Sequence, residues 1–451
     1  MRIRRIGFIL FLLLATAAAF AAESRLTLEQ AVAIALEKNP ARKAAAFQQK
    51  AAATGVKEAR AALLPQMTFN QSYVRSTDPV FVFGSKLRQE RFGAPDFALN
   101  VLNTPSAFSN ASSRISAAWR VFDSGGNVSR LVQARQVSTA AQRQLDRSDQ
   151  ELVYRVVNAY MGVLLAAKQA QVANDAARTA QAVLERSKAR FESGMAVESD
   201  LLNAQVDQAA RQQELIRARS DVQVARAALN NELGVPLESD YELAEVLAER
   251  VLPAPNEADL EQRALEHRPD LAAANLHEQI QRKSESMAKS GFGPKVNVFA
   301  NWESDNPRMF AGGGNNWTTG VEVQFDVFDG GAKLARLQRE RLLSSAAAAE
   351  RDSMRSGVQL QVRKAYLDLD SARQQVDVGR AAVQQSKESL RIAQDRYEAG
   401  LSTITDLLRT EEAALRAETG YWQAVYRLQV SYANLELATG TLDANSPVVK
   451  P

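Results

Sequence analysis

The stretch RFESGMAVESDLL at residues 190–202 returns as RYEAGLSTITDLL at residues 396–408. An aromatic residue, a glycine three positions on and an Asp-Leu-Leu recur at one spacing, 206 residues apart. That offset holds from Val121-Phe122-Asp123 and Val327-Phe328-Asp329 through Ala159-Tyr160 and Ala365-Tyr366 to Leu233-Gly234 and Thr439-Gly440. Nearer the start, Pro40 pairs with Pro269 and Pro65 with Pro294 at an offset of 229, so the first half carries 23 more residues between Pro65 and Phe122. The chain is a duplication, and an insertion confined to one place reads as a surface loop.

Each half reads as helix, strand, loop, strand, long helix, turn, helix. In the first, Met67, Phe69 and Tyr73 alternate with Thr68, Asn70 and Ser72, and Ile115, Ala117, Trp119 and Val121 with Arg114, Ser116, Ala118 and Arg120. In the second, Val296, Val298, Ala300 and Trp302 alternate with Asn297, Phe299 and Asn301, and Trp317, Val321, Val323, Phe325 and Val327 with Thr318, Glu322, Gln324 and Asp326. One apolar and one polar face over about ten residues suits a tilted strand crossing a bilayer. An amphipathic hairpin lying on a soluble core has the same pattern. Four strands are too few to close a barrel, so in lipid several chains would have to close one together.

Between Gly126 and Phe191, and between Gly331 and Tyr397, there is no proline. A helix over either span would be on the order of 100 Å long. Val362, Leu369, Val376, Val383, Leu390 and Tyr397 recur every seven residues, each followed at plus three by a small residue: Ala365, Ala372, Gly379, Ser386, Ala393 and Gly400. The first half repeats this with Val156 through Phe191 and Ala159 through Gly194, where Ala180 is one of the small positions. Large knobs facing small holes predict closely packed, left-handed supercoiled helices. The two quoted stretches are then the hairpin turns: Gly194 and Gly400 suit the left-handed residue that ends a helix. Asp200 and Asp406 fall in the first turn of the next helix, favoured by its dipole.

Composition narrows the function. Lys plus Arg total 55 against 52 Asp plus Glu, interleaved along the chain, which argues against nucleic acid as a partner. Residues 1–22 have the order of a secretory signal, with Arg2, Arg4 and Arg5, an apolar run and Ala19-Phe20-Ala21. There is no cysteine, hence no disulfide and no acylated mature end. The only histidines, His267 and His277, lie ten residues apart on a predicted helix and lack a partner at metal spacing. No nucleophile elbow, nucleotide loop or cofactor signature is present, so neither an enzyme nor a cofactor is expected.

In this order, spacing and duplication the chain resembles the TolC family of bacterial outer-membrane factors, from Leu26-Thr-Leu-Glu-Gln-Ala-Val-Ala-Ile-Ala-Leu-Glu-Lys-Asn-Pro40 through both strand pairs and both turns to Leu437-Ala-Thr-Gly440. The resemblance implies an α+β membrane protein: a homotrimer whose twelve-stranded β-barrel, four strands per protomer, sits in outer-membrane lipid and continues as a long α-helical coiled-coil barrel through the periplasm. It further implies the exit duct of a tripartite efflux pump or type I secretion system, served by a periplasmic membrane-fusion adaptor and an inner-membrane transporter. The turn residues Phe191, Gly194, Tyr397 and Gly400 are then expected to dock the adaptor. Asp200 and Asp406 are expected to line a periplasmic gate. Where some members carry a second acid, three residues after Asp406, this chain has Arg409, which shares the helix face and is expected to pair with Asp406.

A soluble or adhesive coiled-coil structural protein is the rival reading, since it would share the helices; it would not need the strands. The expected organisation is a signal segment at 1–22, repeats at 23–252 and 253–441, and a disordered tail at 442–451. The insertion, DPVFVFGSKLRQERFGAPDF, is expected to fold over the outer mouth of the barrel.

Overall fold

The computed structural model describes residues 25–250, 252 and 256–450, so the expected signal segment lies outside the described residues. In chain order the elements are α1 (Leu28–Lys38), α2 (Pro40–Ala61), β1 (Gln66–Ser76), α3 (Pro79–Arg88), a 3-10 turn (Ala94–Phe97), α4 (Leu99–Asn103), β2 (Phe108–Phe122), α5 (Gly126–Glu192), α6 (Glu198–Leu233), α7 (Glu257–His267), α8 (Pro269–Ser290), β3 (Lys295–Asn306), β4 (Gly314–Gln324), α9 (Ala332–Glu398) and α10 (Ile404–Thr439). Outside the insertion the repeats match element for element: α5 and α9 each run 67 residues, α6 and α10 each 36. The described residues form two compact units, one drawn from 25–47, 143–272 and 353–450, the other of 48–142 and 273–352. Each unit draws on both repeats, so neither repeat is a domain of its own.

In the second of these units the four strands make one antiparallel sheet in the order β1-β2-β3-β4, with the two hairpins joined through β2 and β3. Register brings the alternation of all four strands into line. Phe69, Ile115, Trp302 and Trp317 form one cross-sheet row, and Trp119, Val298 and Val321 another. Asn70, Arg114, Glu303 and Asn316 make a row of the opposite face. The apolar row is exposed from end to end, which an amphipathic sheet resting on a soluble core would not leave bare. The expected strand through Phe325 and Val327 stops at Gln324 instead. Its ladder partner begins at Lys295, and the preceding Pro294 has no N–H to extend it.

The insertion folds back over the polar-face ends of β2 and β3. Arg88 approaches Glu303 at 3.7 Å, and Gln89 donates to Asn110, which donates to Asp305. Lys86 and Asp96 pair at 2.6 Å, and Phe92 packs edge-on against both Phe83 and Phe97. A Cβ on Gly314 would sit 1.7 Å from the Arg88 carbonyl oxygen, so the insertion lies against the β4 backbone.

The other unit holds the main core. Val156, Tyr160, Val163, Val362, Leu369 and Val376 of the expected seam are all buried there with Val32, Leu233, Leu428 and Leu435. Tyr160, fully buried, donates to the Leu26 carbonyl and to Glu245. At Gly379 a Cβ would come 3.3 Å from Cα of Tyr421, so α9 and α10 approach as closely as the small positions require. The tail differs from expectation: Leu442, Val448 and Val449 are buried in this core, where their apolar surface is removed from water.

Candidate functional site at the hairpin turns

Both quoted stretches are helix-turn-helix hairpins of one geometry. After α5 the Gly194 N–H bonds to the Phe191 carbonyl and the Met195 N–H to that of Arg190; after α9 Gly400 bonds to Tyr397 and Leu401 to Arg396. The glycines have φ of 73° and 72°, a region where a Cβ is strained, which is why the sequence repeats glycine here.

The side chains differ between the copies. Phe191 is exposed at 39%, while Tyr397 is buried at 7% with Val183, Ala204, Ile404 and Leu407. Arg190 lies over the Tyr397 ring at 5.1 Å and donates to its carbonyl at 3.0 Å, and Arg186 bonds Glu398 at 2.7 Å. Tyr397 therefore ties the two hairpins together, and its ring is not available on the surface of this chain. Both aspartates sit in the first turn of their helices as expected. Asp200 follows Val197, which offers no side-chain cap. Asp406 is exposed, its N–H bonded to the Thr403 hydroxyl and its carboxylate accepting from the same hydroxyl at 2.8 Å. The expected ion pair with Arg409 does not form: among the described residues Arg409 makes no ion pair with Asp406, whose carboxylate already has a partner one turn back.

Between the hairpins lies a cavity of about 540 Å³, lined by Asp175, Arg178, Arg186, Gln394, Tyr397 and Glu398 among others. Deeper along the same helices, Arg211 of α6 bridges to Glu412 of α10 at 2.8 Å. Sequence reasoning missed this bridge and the Arg190–Tyr397 contact. Asp207 and Arg211 do show the spacing of a helical ion pair, but nothing local points to the mate on α10. Among the described residues no group of His, Asp or Glu is placed to hold a metal ion, and no described helix is long and apolar enough to cross a membrane.

Comparison with known proteins accounts for this architecture. The family described as outer membrane efflux protein matches residues 31–235 and 260–441. The alkaline protease secretion protein AprF of Pseudomonas aeruginosa is 25% identical over 299 residues, 65% of this chain and 62% of that protein. The outer membrane protein TolC of Vibrio cholerae is 23% identical over 420 residues, 90% of this chain and 89% of that one. The crystal structure of the Campylobacter jejuni CmeC outer membrane channel superposes with a TM-score of 0.80 at 17% identity, covering 94% of this chain and 88% of that one. With the fold shared almost end to end and the family's pattern matched in both repeats, this chain belongs to the outer membrane efflux protein family.

Proposed function

We propose that the chain assembles as a homotrimer into the exit duct of a tripartite efflux pump or type I secretion system, completed by a periplasmic membrane-fusion adaptor and an inner-membrane transporter. The observation that carries this reading is the sheet with two open edges, β1 and β4, beneath an exposed apolar face. In hydrocarbon each unpaired backbone group costs several kcal/mol, so β4 of one copy must pair with β1 of the next until the ring closes. Three copies supply twelve strands, and a closed ring satisfies every edge. A relative named for protease secretion and a family named for efflux both suit a duct that leaves cargo selection to its inner-membrane partner.

In the same reading the hairpin turns form the periplasmic entrance. Asp200 and Asp406 converge there as the gate, where like charges would draw cations, and Arg409 offsets them through space without a direct bond. Phe191, Gly194 and Gly400 present the adaptor-docking surface, and Tyr397 supports it from beneath. The test is purification from outer membranes followed by planar-bilayer recording. Expected are a heat-sensitive trimer on unheated gels and discrete, cation-selective conductance. A chain that purifies as a soluble rod without detergent and forms no channel would return the rival coiled-coil reading.

A further inference from the structure

Glu411 on α10 sits where an ionised carboxylate is poorly accommodated. One of its oxygens, Oε1, is shut off from solvent and has no hydrogen-bond partner. It borders a cavity of about 180 Å³ walled by Leu390, Ala414 and Leu415. Beside it the single guanidinium of Arg211 serves Glu412 at 2.8 Å, Asp207 at 3.3 Å and Glu214 at 3.4 Å. The remaining charged groups around the site are Asp175, Arg178 and Arg186 on α5, Lys387 and Glu398 on α9, the latter pairing Arg186 at 2.7 Å, and Arg416 and Glu418 on α10. Lys387 faces Glu418 at 3.9 Å and Arg416 holds Glu412 at 2.9 Å, so neither cation is given over to Glu411.

We propose that Glu411 is a protonation-controlled clamp between the two hairpins: with its proton it allows α6 and α10 to pack, and without it a further carboxylate crowds Asp207 and Glu412 around one guanidinium and drives the helices apart. Burial first and Asp207 second push the Glu411 carboxyl up to about 7, against Arg211, Gln394 and Arg186, which lower it. Burial likewise raises Asp207, while Arg211 and Arg416 hold Glu412 below the ordinary range despite its burial. Because the packed form binds the proton more tightly than the open form, the clamp is strongest below the ordinary glutamate value of 4.5, weakens as pH rises from there, and is fully released above about 7. Resting on the reading of the turns as the entrance, release loosens the helices a few turns from Asp200 and Asp406.

Hydrogen exchange on the full trimer in detergent tests the clamp without reference to transport. In peptides covering 198–215 and 404–418, corrected for intrinsic rate, the opening constant is expected to rise by up to roughly tenfold per pH unit between about pH 5 and 7 and then to level off. Glu411→Gln should abolish the slope, and Asp207→Asn should move the levelling point to lower pH. A parent protein with no slope in these peptides, or an unchanged slope in Glu411→Gln, overturns the proposal. If the glutamine variant fails to form trimers, an unshifted levelling point in Asp207→Asn overturns it instead. Conductance recorded at the same pH values separates the two readings: a slope in exchange with flat conductance upholds the clamp and removes the turns from the gate.

Discussion

Tyr397 and Phe191 occupy matching places in the two repeats yet are used differently. The tyrosine is buried under Arg190, whereas the phenylalanine faces outward. Tyr397→Ala is therefore expected to cost about 3–5 kcal/mol, the range for removing a large buried aromatic side chain, read as a lower melting temperature of the purified trimer. Phe191→Ala should leave stability within about 0.5 kcal/mol but reduce adaptor crosslinking at neighbouring positions. Equal destabilisation by both would mean that the hairpins are equivalent in the assembly. The residues of the proposed gate separate in the same way. Asp200→Ala and Asp406→Ala should lessen cation selectivity and relieve block by divalent cations added on the periplasmic side. Arg409→Ala should strengthen that block. If Arg409 acts through space as proposed, its effect should fade as salt is raised toward 1 M, where the screening length is about 3 Å; an effect that persists there would point to a direct bond in the trimer.

Along the long helices the small positions govern how closely neighbours approach. Ala180 is 3% exposed, and a Cβ at Gly379 would press on Tyr421 at 3.3 Å. Ala180→Leu is expected to cost about 1–3 kcal/mol per protomer by overpacking, visible as reduced trimer yield on unheated gels. Ala393→Leu, at a half-buried site nearer the turn, should cost less. If both variants assemble like the parent, the seam is looser than the burial implies. The heptad was legible because packing imprints a period on composition. Which heptad positions end up deepest was not: the seam is fully buried around Val362, Leu369 and Val376 but only partly around Val383 and Leu390, where other elements cover it less.

For the whole molecule, the insertion and the sheet edges make the clearest claims. The insertion lies across the ends of the sheet's polar face, held by Arg88 and Gln89, and Gly93 within it is exposed. An epitope inserted at Gly93 should be labelled on intact cells, since outer-membrane barrels carry their longer loops outside. Labelling only after the outer membrane is broken would reverse the topology. Cysteines placed on β1 and β4 in a chain that has none should crosslink between copies, never within one, because the two strands are opposite edges of the same sheet.

What could be read directly from the residues was everything with a local physical cause. Alternation gave the strands, since successive side chains point to opposite faces; the seven-residue period gave the helices; and Gly194 and Gly400 marked turns only a residue without a side chain enters freely. Those signals, written twice, were enough for the duplication, the order of elements and the family. The register that lines up Phe69, Ile115, Trp302 and Trp317, the burial of Tyr397 but not Phe191, the bridge from Arg211 to Glu412 and the packed tail came only with the folded chain. An amino-acid pattern states which side of an element is apolar or charged; it does not state which distant element covers that side, and for helices some 200 residues apart only packing selects the mate.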